Sequence, residues 1–334
     1  MVESLHMEIQ QGKFPPPPGL IGSLARGFDS VATHIAVILP PLLLDLFLWI
    51  GPRLRLQQAL QPYIDRFPAL MPEMPQGFPD IAVIQQTWTE VLSGFNLFTA
   101  LRTFPLGVSS LLSWRLTGDT PLGAPAWREA SGALDILGWL TLLVLAGWVL
   151  GALYFHWVAR AAFGGSTVGL GRSLSRALLL SVLWVGVLAV ISAPAFVLLS
   201  VTALLSPFLA QLVFISLLVF GAWMLMPVFF SPHGIYTFDQ DALRALLGSL
   251  RMVRFTLPNT GLFLLTFLLL NNGLNFLWTT PPQDSWWMLV GILGHAFVST
   301  ALLAASFVYY RDLNTWLKVV FELLQKQRTQ PQST

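Results

Sequence analysis

Apolar residues gather into six uncharged or nearly uncharged runs, at positions 31–50, 136–158, 177–199, 208–229, 261–279 and 286–309. At about 1.5 Å of rise per residue, a helix of about 20 residues crosses about 30 Å of hydrocarbon, so each run predicts a transmembrane helix. The third and fourth are separated only by the short connection 200–207. The fold class expected is all-α: a polytopic bundle of six spans with interfacial amphipathic helices. Its parts are an N-terminal segment 1–30, a membrane domain 31–310 carrying an insertion at 51–135, and a C-terminal amphipathic helix and tail from 311 to 334.

The connections differ in charge. Lys13 and Arg26 precede the first span, Arg160, Arg172 and Arg176 lie between the second and third, and Arg244, Arg251 and Arg254 lie between the fourth and fifth. Arg311, Lys318, Lys326 and Arg328 follow the sixth, whereas the two other short connections carry no Lys or Arg. Positive charge retained in short loops marks the cytoplasmic side, so both termini are expected there and the insertion outside. Trp49, Trp278, Trp286 and Trp287 fall at the expected outer ends of spans, the depth an indole prefers.

Inside the insertion, prolines punctuate two stretches of helical periodicity. Ile81, Ile84, Trp88, Val91 and Leu92 form one; Leu97, Phe98, Leu101 and Phe104 form the other. Two short amphipathic helices on the outer membrane surface are expected. Leu243, Leu246, Leu247, Leu250 and Val253 predict an interfacial helix, with Asp239 or Asp241 as its N-cap. A second such helix, with Leu313, Trp316, Leu317, Val320, Phe321 and Leu324 on one face, is expected after the last span, followed by a polar, disordered tail from Thr329. Three spans are preceded by similar basic elements, beginning at Ser23, Ser173 and Ser249 and carrying Arg26, Arg176 and Arg251. A threefold repeat of interfacial helix plus hairpin, with the insertion in its first copy, is one explanation. The other is that basic segments before spans resemble one another.

Composition agrees with the lipid reading: 55% of the 334 residues are hydrophobic and 10% charged, with mean hydropathy +0.68. The net charge of +2 and pI near 9.1 do not imply nucleic acid, because the basic residues are dispersed at segment ends. Absence of cysteine excludes disulfides, thiolate metal sites and palmitoylation. No catalytic, cofactor or metal site is expected. HExxH and Walker A strings are missing, the 164–169 loop fails GxSxG at Val168, and Asp239-Gln240-Asp241 opens a helix. The partner expected is the lipid bilayer, with the insertion offered to a membrane-protein partner.

Ionisable and amide groups within spans call for partners. Asp45, Asn271, Asn272, Asn275 and His295 all fall in the outer half of the bilayer, a candidate polar layer beneath the insertion. Pro40-Pro41 precedes Asp45 and would free the carbonyls of Ala36 and Val37. Interhelical hydrogen bonding is one use of this layer and a solute site the other. His34 and His156 are expected as headgroup neighbours, and Gly147 and Gly151 as a close helix contact of the GxxxG type.

The string from Gly19-Leu20-Ile21 through Gly27-Phe28-Asp29, and then residues 40–53, PPLLLDLFLWIGPR, resembles the start of uncharacterised bacterial multi-pass membrane proteins. Residues 136–310 are similar, in their basic helices and hairpins, to the membrane domain attached to some glycerophosphodiester phosphodiesterases. The resemblance implies a bacterial plasma-membrane protein and supplies no functional residues. The function expected is a non-enzymatic scaffold or accessory subunit, the alternative being a transporter of a small solute or lipid.

Overall fold

The computed structural model describes residues 15–70, 81–116, 118–165 and 168–329. Lys13, the prolines Pro72, Pro75 and Pro79, Ser166 in the 164–169 loop, and the tail 330–334 lie outside the described residues. The described chain is an all-α polytopic bundle: α1 (Leu20–Thr33), α2 (Leu39–Ile50), α3 (Gln57–Leu70), α4 (Ile81–Gly94), α5 (Ala133–Phe163), α6 (Leu170–Leu205), α7 (Pro207–Phe238), α8 (Ala242–Trp278) and α9 (Met288–Thr329). Two short strands, β1 (Arg53–Arg55) and β2 (Trp127–Glu129), pair in parallel with Leu54 opposite Arg128. Helices α5 to α9 are each long and apolar enough to cross a membrane, and a bent pair at the start brings the number to six if it counts as one span.

That bent pair corrects the first expected span. Residues 31–50 are not one helix: α1 ends at Thr33, a 3-10 turn follows over Ile35–Ile38, and the axis turns by 100°. The cause is Pro40-Pro41, which sits in the first turn of α2. There the missing N–H groups have no helical partner to lose, whereas inside a helix each proline would cost about 3 kcal/mol.

Two further expectations change and one narrows. The 97–104 periodicity yields only a 3-10 turn, Leu97–Leu101, capped by Asn96 and followed closely by Pro105, which disfavours helix at the residue before it. Of the two N-cap candidates of α8, Asp241 directly precedes the helix and its carbonyl accepts from Ala245 N, whereas Asp239 ends α7 in the left-handed region (φ 51°) and its carboxylate takes Arg172 and Arg176. Asp241 pairs with Arg176 at 3.1 Å. The last amphipathic segment is not a separate interfacial helix but the unbroken end of α9. By contrast, α8 does break where an interfacial helix and a span were expected to meet, at Thr256 (φ −128°, ψ 26°), two residues before Pro258.

The described residues form two compact units. The first comprises 15–35, 155–270 and 301–329. Its three basic elements share one burial register: Ser23, Ser173 and Ser249 are all buried, as are Gly27, Ala177 and Val253 four residues on. Gly27 lies so close to Ala301 and Ala305 that a side chain there would collide with backbone. Ser173 Oγ lies 3.2 Å from His156 Nδ1. Between these elements Phe155, Tyr236 and Phe307, one from each of α5, α7 and α9, stand at mutual centroid distances of 6.1, 6.1 and 6.0 Å. Helices α5, α7 and α9 thus each contribute one ring to a three-way aromatic contact.

In the same unit α6 and α7 form a hairpin whose distal part, residues 185–226, contains no buried residue. Its two arms, 185–205 and 207–226, rise about 31 and about 30 Å, close to the hydrocarbon thickness. Half-exposed Val187, Ile191, Ala195 and Leu199 recur at helical spacing on α6, the seam of a two-helix contact. The remaining apolar faces, including Phe196, Leu204 and Phe208, are open. In water so much exposed apolar surface would be unstable; in lipid it is the expected boundary.

The second unit comprises 36–154 and 271–300. Its core joins Leu54, Leu56, Leu92, Leu97, Ala130 and Leu143, so the β-pair, the insertion helices and α5 share one apolar centre.

Candidate functional site

The carboxylate of Asp45 is fully buried on α2 and meets an irregular stretch of the insertion. Ser110 Oγ donates to its Oδ1 at 2.6 Å, Leu112 N to the same oxygen at 3.2 Å, and Leu111 N to Oδ2 at 3.0 Å. Three hydrogen bonds to one carboxylate make a strong local clamp, since bonds to charged groups are worth about 1.5–3 kcal/mol each. The segment it holds is buried at Leu106, Val108, Ser110, Leu111 and Leu112. Buried non-helical backbone needs hydrogen-bond partners within the protein, and Asp45 accepts from two of its N–H groups.

Gly147 and Gly151 of α5 admit this segment. A Cβ on Gly151 would lie 2.8 Å from Cα and N of Gly107, and one on Gly147 would strike Leu101 O and Thr103. The two glycines thus receive an irregular strand rather than the second helix a GxxxG pair suggests. One turn further, Tyr154 Oη lies 2.9 Å from Thr300 Oγ1 of α9. Arg102, at the edge of the segment, donates to Ser113 Oγ at 3.0 Å and stacks over Trp114 at 5.2 Å. Burial pulls its guanidinium below the ordinary value, and the Asp45 carboxylate opposes that.

Of the five residues of the expected polar layer, the structure joins two directly. His295 Nδ1 lies 2.8 Å from Asn275 Oδ1, so the ring donates to the amide carbonyl and its Nε2 is left as an acceptor. That Nε2 is buried without a partner among the described residues. Asp45 faces residues 110–112 instead, Asn271 is half-buried, and Asn272 is exposed. The carbonyls of Ala36 and Val37 lie in the 3-10 turn before α2, not in a broken helix.

The connection after α8 clamps the insertion from another direction. Gln283 O accepts from Trp49 Nε1 at 2.7 Å, and the Gln283 side chain donates to Leu116 O and accepts from Gly118 N. Trp49 is therefore buried, and Trp278 lies against Gly294; only Trp286 and Trp287 are open, as headgroup indoles would be. His34 is exposed at the break after α1, whereas His156 is buried against Ser173 and is no headgroup neighbour.

Sequence reasoning missed Arg102, Ser110 and the burial of Leu106, Val108, Leu111 and Leu112. The available signal was the uncharged stretch between Arg102 and Arg115, alternating large and small residues from Leu106 to Ser110 and matched by two glycines on α5. Comparison with protein-family models, curated proteins and solved structures gives no match.

Proposed function

We propose that this protein is a non-enzymatic scaffold or accessory subunit of a bacterial plasma membrane, with both termini cytoplasmic and the 51–135 insertion presented outside to a membrane-protein partner. The observation that carries this reading is the use made of Asp45. The Asp45 carboxylate, a costly group in a span, accepts three hydrogen bonds from Ser110, Leu111 and Leu112, which ties that part of the insertion to α2. Exposed Trp88, Trp114 and Leu122 give the insertion apolar contact points.

Photo-crosslinking residues introduced at positions 88, 114 and 122 in living cells test this. A discrete adduct with another membrane protein from at least one position is expected. Only lipid adducts or none from all three would remove the scaffold reading. A transporter of a small solute or lipid is the second reading, favoured by the unpartnered Nε2 of His295. It predicts a solute flux in reconstituted vesicles that His295→Gln abolishes without unfolding the protein.

A further inference from the structure

We propose that a cavity between α3 and the start of α5 seats the phosphate-bearing headgroup of a membrane glycerophospholipid. The cavity encloses about 370 Å³, within the range of small-molecule sites. Its lining combines polar Gln58, Tyr63, Arg66 and Ser131 with apolar Leu60 and Ile136. Both kinds of contact suit a ligand that carries a phosphate and hydrocarbon.

Arg66 supplies the positive charge in the lining of the cavity. Among the described residues every ion pair lies in the first unit, where Arg26, Arg172, Arg176, Arg244 and Arg311 all meet carboxylates. Arg66, in the second unit, has no such partner and is exposed at the cavity. The acidic groups nearby already have donors. Asp65 accepts from Gln61 Nε2 at 2.9 Å, Glu129 from Gln58 N at 3.1 Å, and Asp135 from Ser131 N at 3.0 Å. A guanidinium with free donors binds phosphate through a planar fork that lysine lacks.

Position selects a lipid over a soluble phosphate. Ala133 and Ile136, which line the cavity, open the apolar helix α5, so the cavity sits where a span begins. Headgroup phosphates lie at that level, and Ile136 leads along the helix into the hydrocarbon.

Native mass spectrometry of the full chain released from detergent micelles, with added phosphatidylglycerol, tests the proposal. Arg66→Gln should weaken retention of the first bound lipid about tenfold. Ala133→Trp, which fills the cavity without changing charge, should do the same, while Arg244→Gln, in the other unit, should not. Thermal midpoints of the variants confirm that they are folded. Wild-type lipid retention by both Arg66→Gln and Ala133→Trp would overturn the proposal. So would displacement of the lipid by millimolar inorganic phosphate, which would make this a site for free anions.

Discussion

Replacing Asp45 by Asn changes one oxygen into an NH2 group and barely alters shape. The carboxylate accepts Ser110 Oγ and Leu112 N at one oxygen and Leu111 N at the other, whereas an amide offers a single acceptor. Either orientation therefore leaves at least one buried N–H facing another donor, at about 1–3 kcal/mol. The bonds that survive become neutral ones, each weaker by about 1 kcal/mol, and Arg102 loses its opposing charge. Relief from burying a carboxylate offsets part of this, so the net loss is about 2–4 kcal/mol. In a chain of this length that lowers the unfolding midpoint by about 3–6 °C. Fluorescence-detected unfolding in detergent, scanned at a fixed rate, reads the shift, and limited proteolysis across 102–116 shows whether the segment is released. A midpoint within a degree of wild type with an equally protected segment would refute the clamp. If such a variant also lost a solute flux, Asp45 would belong to a transport site instead.

Glycine substitutions on one helix should divide sharply. Gly151→Ala should destabilise by about 1–3 kcal/mol, because its Cβ meets the Gly107 backbone, while Gly138→Ala, which meets nothing within 4 Å, should gain up to about 1 kcal/mol. The same unfolding assay separates them. Asp312→Asn should cost about 1.5–3 kcal/mol, since its buried carboxylate holds both Arg26 and Arg311, and Asp239→Asn, in a more exposed network, about 0–1 kcal/mol. Phe196→Arg, mid-way along an unburied arm of the α6–α7 hairpin, should add about 2.5–3.5 kcal/mol to membrane insertion and reduce the membrane-integrated fraction. Leu122→Arg in the insertion, equally open, should leave that fraction unchanged.

What was legible in the sequence is what lipid imposes on a chain. Five of the six runs are helices that can cross a membrane, because a span must satisfy its backbone internally and that leaves an unmistakable length of apolar residues. The break at Thr256 was legible too, in the change from an amphipathic stripe to an apolar run before Pro258. The first run misled because hydropathy is blind to direction: the same residues 31–50 serve a 100° turn as readily as a straight helix, and only the placement of Pro40-Pro41 distinguishes them. The insertion was the least legible part. Arg53 and Trp127 are partners across a parallel pair, and Asp45 and Ser110 across a buried clamp, at separations where no local periodicity reports contact. The five polar residues of spans were visible as anomalies, yet their partners were set by the path of a segment that has no periodicity of its own.

The topology proposed above, with the insertion outside and the basic connections inside, is tested by labelling in intact cells, which tells the two apart. Because the chain lacks cysteine, single cysteines placed at Gly171, at the start of α6, and at Ala124, in the insertion, can be read without background; both are exposed. In intact cells a membrane-impermeant maleimide should label Ala124→Cys and leave Gly171→Cys unlabelled until the membrane is opened. Labelling of both in intact cells, or of Gly171→Cys alone, would contradict it.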